Sequence, residues 1–217
     1  MQKETSKLSV IDELIGHFDR AVRTLHPGTT KARRPSPSTA KPLDCHVNRT
    51  VRSHHAGLMR INHTGEVCAQ ALYSGQSLTA KKPDIRDEML ASAKEEEDHL
   101  AWCEQRLREL DSRTSYLNPL FYMGSFTMGA LAGLISDSFS LGFIAATEDR
   151  VCAHLRAHLD DLPEDDERSR AILEQMIIDE ERHGQKALNA GGTEFSESQK
   201  NIMMMLSKVM TSTTYRI

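Results

Sequence analysis

Two Glu-x-x-His motifs, Glu96/His99 and Glu180/His183, lie 84 residues apart (96 to 180), and each follows a solitary glutamate by 30 residues (66 to 96) or 32 (148 to 180). On a helix, positions i and i+3 sit on neighbouring turns of one face, so each motif can present a carboxylate and an imidazole to one point. A glutamate from each of two helices plus a Glu-x-x-His from each of two others is the donor set of a di-metal carboxylate bundle. The six expected ligands are Glu66, Glu96, His99, Glu148, Glu180 and His183. Four carboxylates balance two divalent ions when both histidines are neutral, whereas without metal they would repel one another and be costly to bury. A donor set rich in oxygen with one nitrogen per ion suits iron or manganese, and ligand type alone does not choose between them. Glu95 and Asp179 each directly precede the chelating glutamate of a motif and are candidates to orient the histidine of the opposite hairpin.

A solvated charged face is the competing reading, and Lys94-Glu95-Glu96-Glu97-Asp98 looks like one in isolation. The surroundings of the solitary glutamates argue otherwise. Glu148 follows the apolar run Leu141-Gly142-Phe143-Ile144-Ala145-Ala146, and Glu66 sits among Val67, Cys68, Ala69, Ala71 and Leu72. An unpaired carboxylate would be destabilising in either place.

The recurrence of a helix with Glu and a helix with Glu-x-x-His, at a period of 82 to 84 residues (66 to 148, 96 to 180), reads as a duplicated helical hairpin. The expected fold is all-α: a ferritin-like four-helix bundle with extra amphipathic and apolar helices. Core helices are expected at about 53–80, 84–111, from Asn118-Pro119, 138–160, 164–189 and 196–212, punctuated by Pro83, Pro163 and Gly191-Gly192. Three divisions are expected: an N-terminal amphipathic helix (1–26), a Pro-rich basic linker (27–50) and a ferritin-like metal-binding domain (51–217). In the first, a Ser9/Asp12 capping box precedes Ile11, Leu14, Ile15, Phe18, Val22 and Leu25 on one face. In the second, four of the seven prolines and several arginines and lysines read as a flexible linker, with attraction to anionic lipid as the functional alternative.

Residues 116–136 carry no charge, a length at the transmembrane threshold. Asn118, Pro119, Ser125 and Thr127 interrupt the stretch, and a span would separate the halves of one metal site. The expectation is a helix partly buried and partly dipped into a bilayer surface. Ser125, Gly129 and Gly133 recur every four residues, a strip suited to helix packing or to passage of a prenyl tail. The Met-rich last helix, with Ile202 to Met210, suits core packing or an interfacial role.

A net charge of −4 argues against a nucleic-acid binder driven by global charge. Cys45, Cys68, Cys103 and Cys152 form no C-x-x-C pair, which excludes a rubredoxin-type or zinc-ribbon site and suits reduced thiols. The N-terminus lacks a secretory apolar region, so a cytosol-side protein is expected.

Several segments resemble the demethoxyubiquinone hydroxylases of ubiquinone biosynthesis. They are Arg60-Ile61-Asn62-His63-Thr64-Gly65-Glu66-Val67-Cys68-Ala69-Gln70, Glu95-Glu96-Glu97-Asp98-His99-Leu100-Ala101-Trp102, Leu117-Asn118-Pro119-Leu120, Thr147-Glu148, Asp179-Glu180-Glu181-Arg182-His183-Gly184, and Ser207 through Ile217. The resemblance covers about 50–217 and is of the bacterial type. His154 matches a family histidine near the metals, whereas Leu155 stands where eukaryotic members often have tyrosine. The resemblance implies two Fe ions per chain, ferrous in the O2-reactive state. They would serve hydroxylation of a polyprenylated methoxy-methyl-benzoquinol (demethoxyubiquinol) at a peripheral site on the cytoplasmic face of a bacterial inner membrane. No G-x-G-x-x-G fingerprint marks a dinucleotide site, so the electron donor stays open. So does association with other ubiquinone-biosynthesis enzymes or with a second copy. Three rivals make different demands. Ferritin-like iron storage and di-manganese catalase need metal but no lipid, and a membrane-bound scaffold needs lipid but no metal.

Overall fold

A computed structural model of the chain describes residues 10–41 and 48–217. Among them the regular structure is entirely helical. The helices are α1 (Val10–Leu25), α2 (Arg49–Thr79), α3 (Pro83–Glu109), α4 (Asn118–Ile135), α5 (Asp137–Asp161), α6 (Glu167–Asn189) and α7 (Glu197–Thr214), with a 3-10 turn at Pro37–Ala40. The punctuation residues act as expected. Pro83 opens α3, where its missing N–H is not needed, and Pro119 lies in the first turn of α4. Gly191 takes φ 101° just past α6, a left-handed value that favours glycine. Ser136 and Asp166 cap α5 and α6 through their side chains, and Ser196 with Gln199 forms a capping box on α7. Ser9, expected to cap α1, lies outside the described residues.

Helices α2, α3, α5 and α6 pack in a ring, each against two others. Apolar residues fill both ends of this bundle. One end holds Met59, Trp102, Leu107, Leu155, Ile172, Leu173 and Met176. The other holds Tyr73, Ile85, Met89, Leu141, Ile144 and Ala187. The paired motifs fall between the two clusters along every helix, so their carboxylates are enclosed above and below by hydrocarbon.

The remaining helices lie outside this frame. Helix α4 crosses α2 closely enough that a Cβ on Gly129 would overlap the Leu72 carbonyl, and one on Gly75 would overlap the Phe126 carbonyl. Gly129 and Gly133 therefore serve helix packing, while Ser125 borders a cavity. No described helix is long and apolar enough to cross a membrane. Helix α1 turns its polar side inward. His17 Nδ1 lies 2.9 Å from Ser74 Oγ, and Arg86 pairs with Glu13 at 2.9 Å. Its apolar stripe faces outward, with Phe18 71 % exposed and Ile11, Leu14, Ile15 and Val22 also exposed. The described part of the Pro-rich segment lies along the bundle, in contrast to the flexible linker expected. The Gly28 N–H donates to Glu104 Oε1 (2.7 Å), Arg168 donates to the Lys41 carbonyl (2.9 Å), and Ser36 and Ser38 are buried.

Candidate metal centre

The six residues singled out by spacing converge at the middle of the bundle, and all are buried. Their donor atoms form two overlapping groups, Glu66/Glu96/His99/Glu180 and Glu96/Glu148/Glu180/His183, each within 4.8 Å. Spacing assigns each Glu-x-x-His to one ion. The geometry adds that Glu96 and Glu180 belong to both groups, as bridging carboxylates would, leaving Glu66 and Glu148 as terminal donors on opposite sides.

The contacts fit a metal pair better than a proton network. Glu96 Oε1 lies 2.9 Å from His183 Nδ1, and Glu180 Oε1 lies 2.9 Å from His99 Nδ1. Neither contact has hydrogen-bond geometry, and both oxygens are buried with no donor. An orphaned buried carboxylate oxygen beside an imidazole nitrogen is a costly arrangement unless a cation joins them. The far nitrogens are spoken for. His99 Nε2 lies 2.9 Å from Asp179 Oδ2 and His183 Nε2 lies 2.9 Å from Glu95 Oε2, each partner coming from the opposite hairpin. Such contacts fix the ring so that Nδ1 points at the centre.

The electrostatics of the metal-free cluster follow from burial and crowding. Burial, together with the charges of Glu180 and Glu96, raises Glu66 to about 8 and pushes Glu148 well above the carboxylate range. Burial also opposes ionisation of Glu96, but His99 and His183 outweigh it and hold that carboxyl low. Burial alone would lower His183, yet its contacts with Glu180 and Glu96 raise it to about 12; the same opposition raises His99 well above its ordinary value. The same crowding of carboxylates that favours proton uptake would favour two divalent cations.

A cavity of about 290 Å³ opens beside Glu66, between α2, α4, α5 and α7. Its wall is largely apolar, with Leu72, Phe121, Phe143, Val151 and Met203 among the lining residues. Met128, Ile202 and Leu206 belong both to this wall and to the exposed apolar surface. His154, expected near the metals, stands on the cavity wall and in neither donor group; its buried Nε2 has no partner.

Two contributors were not anticipated. The Tyr73 hydroxyl donates to Glu148 Oε1 at 2.6 Å. Tyr73 lies two helical turns after Glu66, so a seven-residue spacing could have flagged it. Arg34 donates to Asp179 Oδ2 at 2.8 Å, and nothing in its Pro-rich surroundings signals that contact.

Residues 53–214 match the family described as "Ubiquinone biosynthesis protein COQ7". A protein of Azotobacter vinelandii named 3-demethoxyubiquinol 3-hydroxylase is 60 % identical over 209 residues, covering 96 % of this chain and 97 % of its own length. Proteins of the same name from Pseudomonas putida and Pseudomonas aeruginosa are each 58 % identical with the same coverage.

Proposed function

The chain belongs to the COQ7 family of ubiquinone biosynthesis proteins, and from that premise we propose that it hydroxylates the ring of a polyprenylated demethoxyubiquinol at the Glu66–His183 cluster. The carrying observation is the convergence of four buried carboxylates and two imidazoles, two of the carboxylates shared, at the inner end of an apolar cavity. The stoichiometry is that of a monooxygenase: one oxygen atom of O2 enters a ring C–H bond, and the other leaves as water with two electrons and two protons. Two iron ions held by Glu66, Glu96, His99, Glu148, Glu180 and His183 would, when bound, supply the activation of O2.

The chain's own residues do the rest. Asp179 and Glu95 keep the imidazole rings aimed inward, and the two apolar clusters keep water from the carboxylates. The cavity admits a flat aromatic ring beside Glu66, with Leu72, Phe121 and Phe143 offering apolar contact. Its wall continues through Met128, Ile202 and Leu206 to the surface, a route suited to a prenyl tail.

The same surface supports peripheral docking on a membrane. Besides the outward stripe of α1, Leu120, Met123, Leu131, Leu134 and Ile135 on α4 and Met205, Leu206 and Val209 on α7 are exposed. Each such side chain gains roughly 1.5–3 kcal/mol on full transfer from water to hydrocarbon. An apolar surface of that extent is what a lipid-facing protein presents.

The reading is tested by supplying iron-reconstituted protein, a chemical reductant and demethoxyubiquinol in lipid vesicles with 18O2. One labelled oxygen on the ring, absent with Glu180→Ala, is the expected result. Unlabelled product, or undiminished product from the variant, would overturn it. Flotation with vesicles, weakened by Phe18→Glu, tests the docking.

A further inference from the structure

Behind each imidazole stand a carboxylate and then a guanidinium. On one side His183 meets Glu95, which meets Arg182 at 2.9 Å. Glu95 and Arg182 are both half-exposed and come from the bundle helices α3 and α6. On the other side His99 meets Asp179 Oδ2, which Arg34 meets at 2.8 Å, while Asp179 Oδ1 takes only longer contacts of 3.3 Å from Gln175 and Arg182 of the bundle. Asp179 is buried, and Arg34 comes from outside the bundle, 145 residues away in sequence.

The seat of Arg34 is built. Its Nε donates to Asp98 Oδ2 at 2.7 Å while a terminal nitrogen donates to Asp179, so one planar fork ties α3 to α6. The guanidinium lies 4.9 Å from the centre of the Trp102 ring, and the Trp102 indole N–H donates back to the Arg34 carbonyl at 3.3 Å. The neighbouring Arg33 N–H donates to Asp98 Oδ1 at 2.6 Å. A fork matched to two carboxylates and stacked on an aromatic face is a task that lysine cannot perform. Gly28 and Lys41 pin the segment on either side through Glu104 and Arg168.

We infer that Arg34 is a positioning residue for one of the two metal subsites. The N-terminal segment straps across the bundle and holds Asp179 against His99. The subsite of Glu66, Glu96, Glu180 and His99 therefore depends on this strap, whereas the His183 subsite is oriented by residues of the bundle itself. This inference rests on the proposed metal centre.

The test is Co2+ titration of the full chain, reading bound metal after desalting and the visible absorption of the bound ion. The unaltered protein should retain two Co2+ per chain. Arg34→Gln should retain one, with the other released at least tenfold more readily, in line with the loss of a residue that orients a ligand. Arg34→Lys keeps the charge without the fork and should lose the same ion, and Arg23→Gln, at an exposed arginine that pairs with Asp19, should retain both. A merely structural strap would weaken both ions together. Two ions held as in the unaltered protein, or both lost in step by Arg34→Gln, would overturn the inference. If Arg34→Gln loses its helical circular dichroism, Arg34→Lys decides by the same criterion. An unaltered protein that binds no Co2+ would overturn the metal centre itself, and the inference with it.

Discussion

His99 and His183 occupy equivalent places in a duplicated hairpin, yet their surroundings differ in burial and in access. The His99 side has a buried orienting aspartate, a guanidinium brought in from the N-terminal strap, and a terminal donor, Glu66, that borders the cavity. The His183 side has a half-exposed orienting glutamate, a guanidinium from α6 that also reaches Asp179 at 3.3 Å, and a terminal donor, Glu148, closed off by the Tyr73 hydroxyl. Duplication thus supplies equal ligands, and unequal packing around them makes one side face the cavity while the other is enclosed. The side open to the cavity is also the side with the more elaborate support, which suits a ligand that must hold its geometry beside an entering ring.

The largest expected effect removes the comparison altogether. Glu180 is shared by both groups, so Glu180→Ala should abolish binding of both ions and lower ring hydroxylation by at least ~100-fold, beyond what loss of an orienting partner does. Metal analysis and turnover measured on the same helical sample check this. Next, Asp179→Asn should weaken one ion by roughly 10–100-fold, while Glu95→Gln, in a hydrated setting, should fall at the low end of that range or below it. Equal losses in a competitive chelator titration would erase the proposed asymmetry. Tyr73→Phe should act on the Glu148 side alone. Loss of one buried hydrogen bond should lower metal-free stability by about 1–3 kcal/mol and leave occupancy of the His99 side intact, as read by denaturant melts and metal titration.

The last effect, on the slope of stability with pH, is common to both halves. His63 on α2 and His158 on α5 lie outside the donor groups, and burial lowers each to about 3. A depressed histidine contributes stability that is fully present above its unfolded value of 6.5 and is lost as pH falls towards 3. Stability of the metal-free protein should therefore carry up to ~1.4 kcal/mol per pH unit from each histidine across that window. His63→Gln should flatten the acid limb by one proton. An unchanged slope in denaturant melts at pH 4 to 6.5 would contradict the assignment.

Much of this organisation is visible in the residues because helices write their faces and ends locally. The spacing of Glu66, Glu96, His99, Glu148, Glu180 and His183 needs only the helical repeat to place them on inward faces. Pro83, Pro119 and Gly191 mark ends through backbone constraints that no tertiary contact has to supply. Sharing of Glu96 and Glu180 was not legible, since it depends on how two hairpins dock. The strap was not legible either. Its proline and basic residues describe a segment without its own periodicity, and its order comes from partners such as Asp98 and Asp179, 64 and 145 residues away. Helix α1 shows a third limit. Its stripe of Ile11, Leu14, Ile15, Phe18 and Val22 establishes an apolar face, but only His17 and Glu13, bonded to the bundle, show that this face points outward. The Ser125/Gly129/Gly133 strip permitted two uses, and the close approach of α2 selects packing for both glycines.

The most direct measurement is iron bound per chain after anaerobic reconstitution, in the unaltered protein, Glu148→Gln and Glu180→Ala. Two irons, about one, and none are the numbers expected from two terminal and two shared carboxylates. Two irons in Glu180→Ala, or none in the well-folded unaltered chain, would contradict the shared-carboxylate centre on which the proposed function stands.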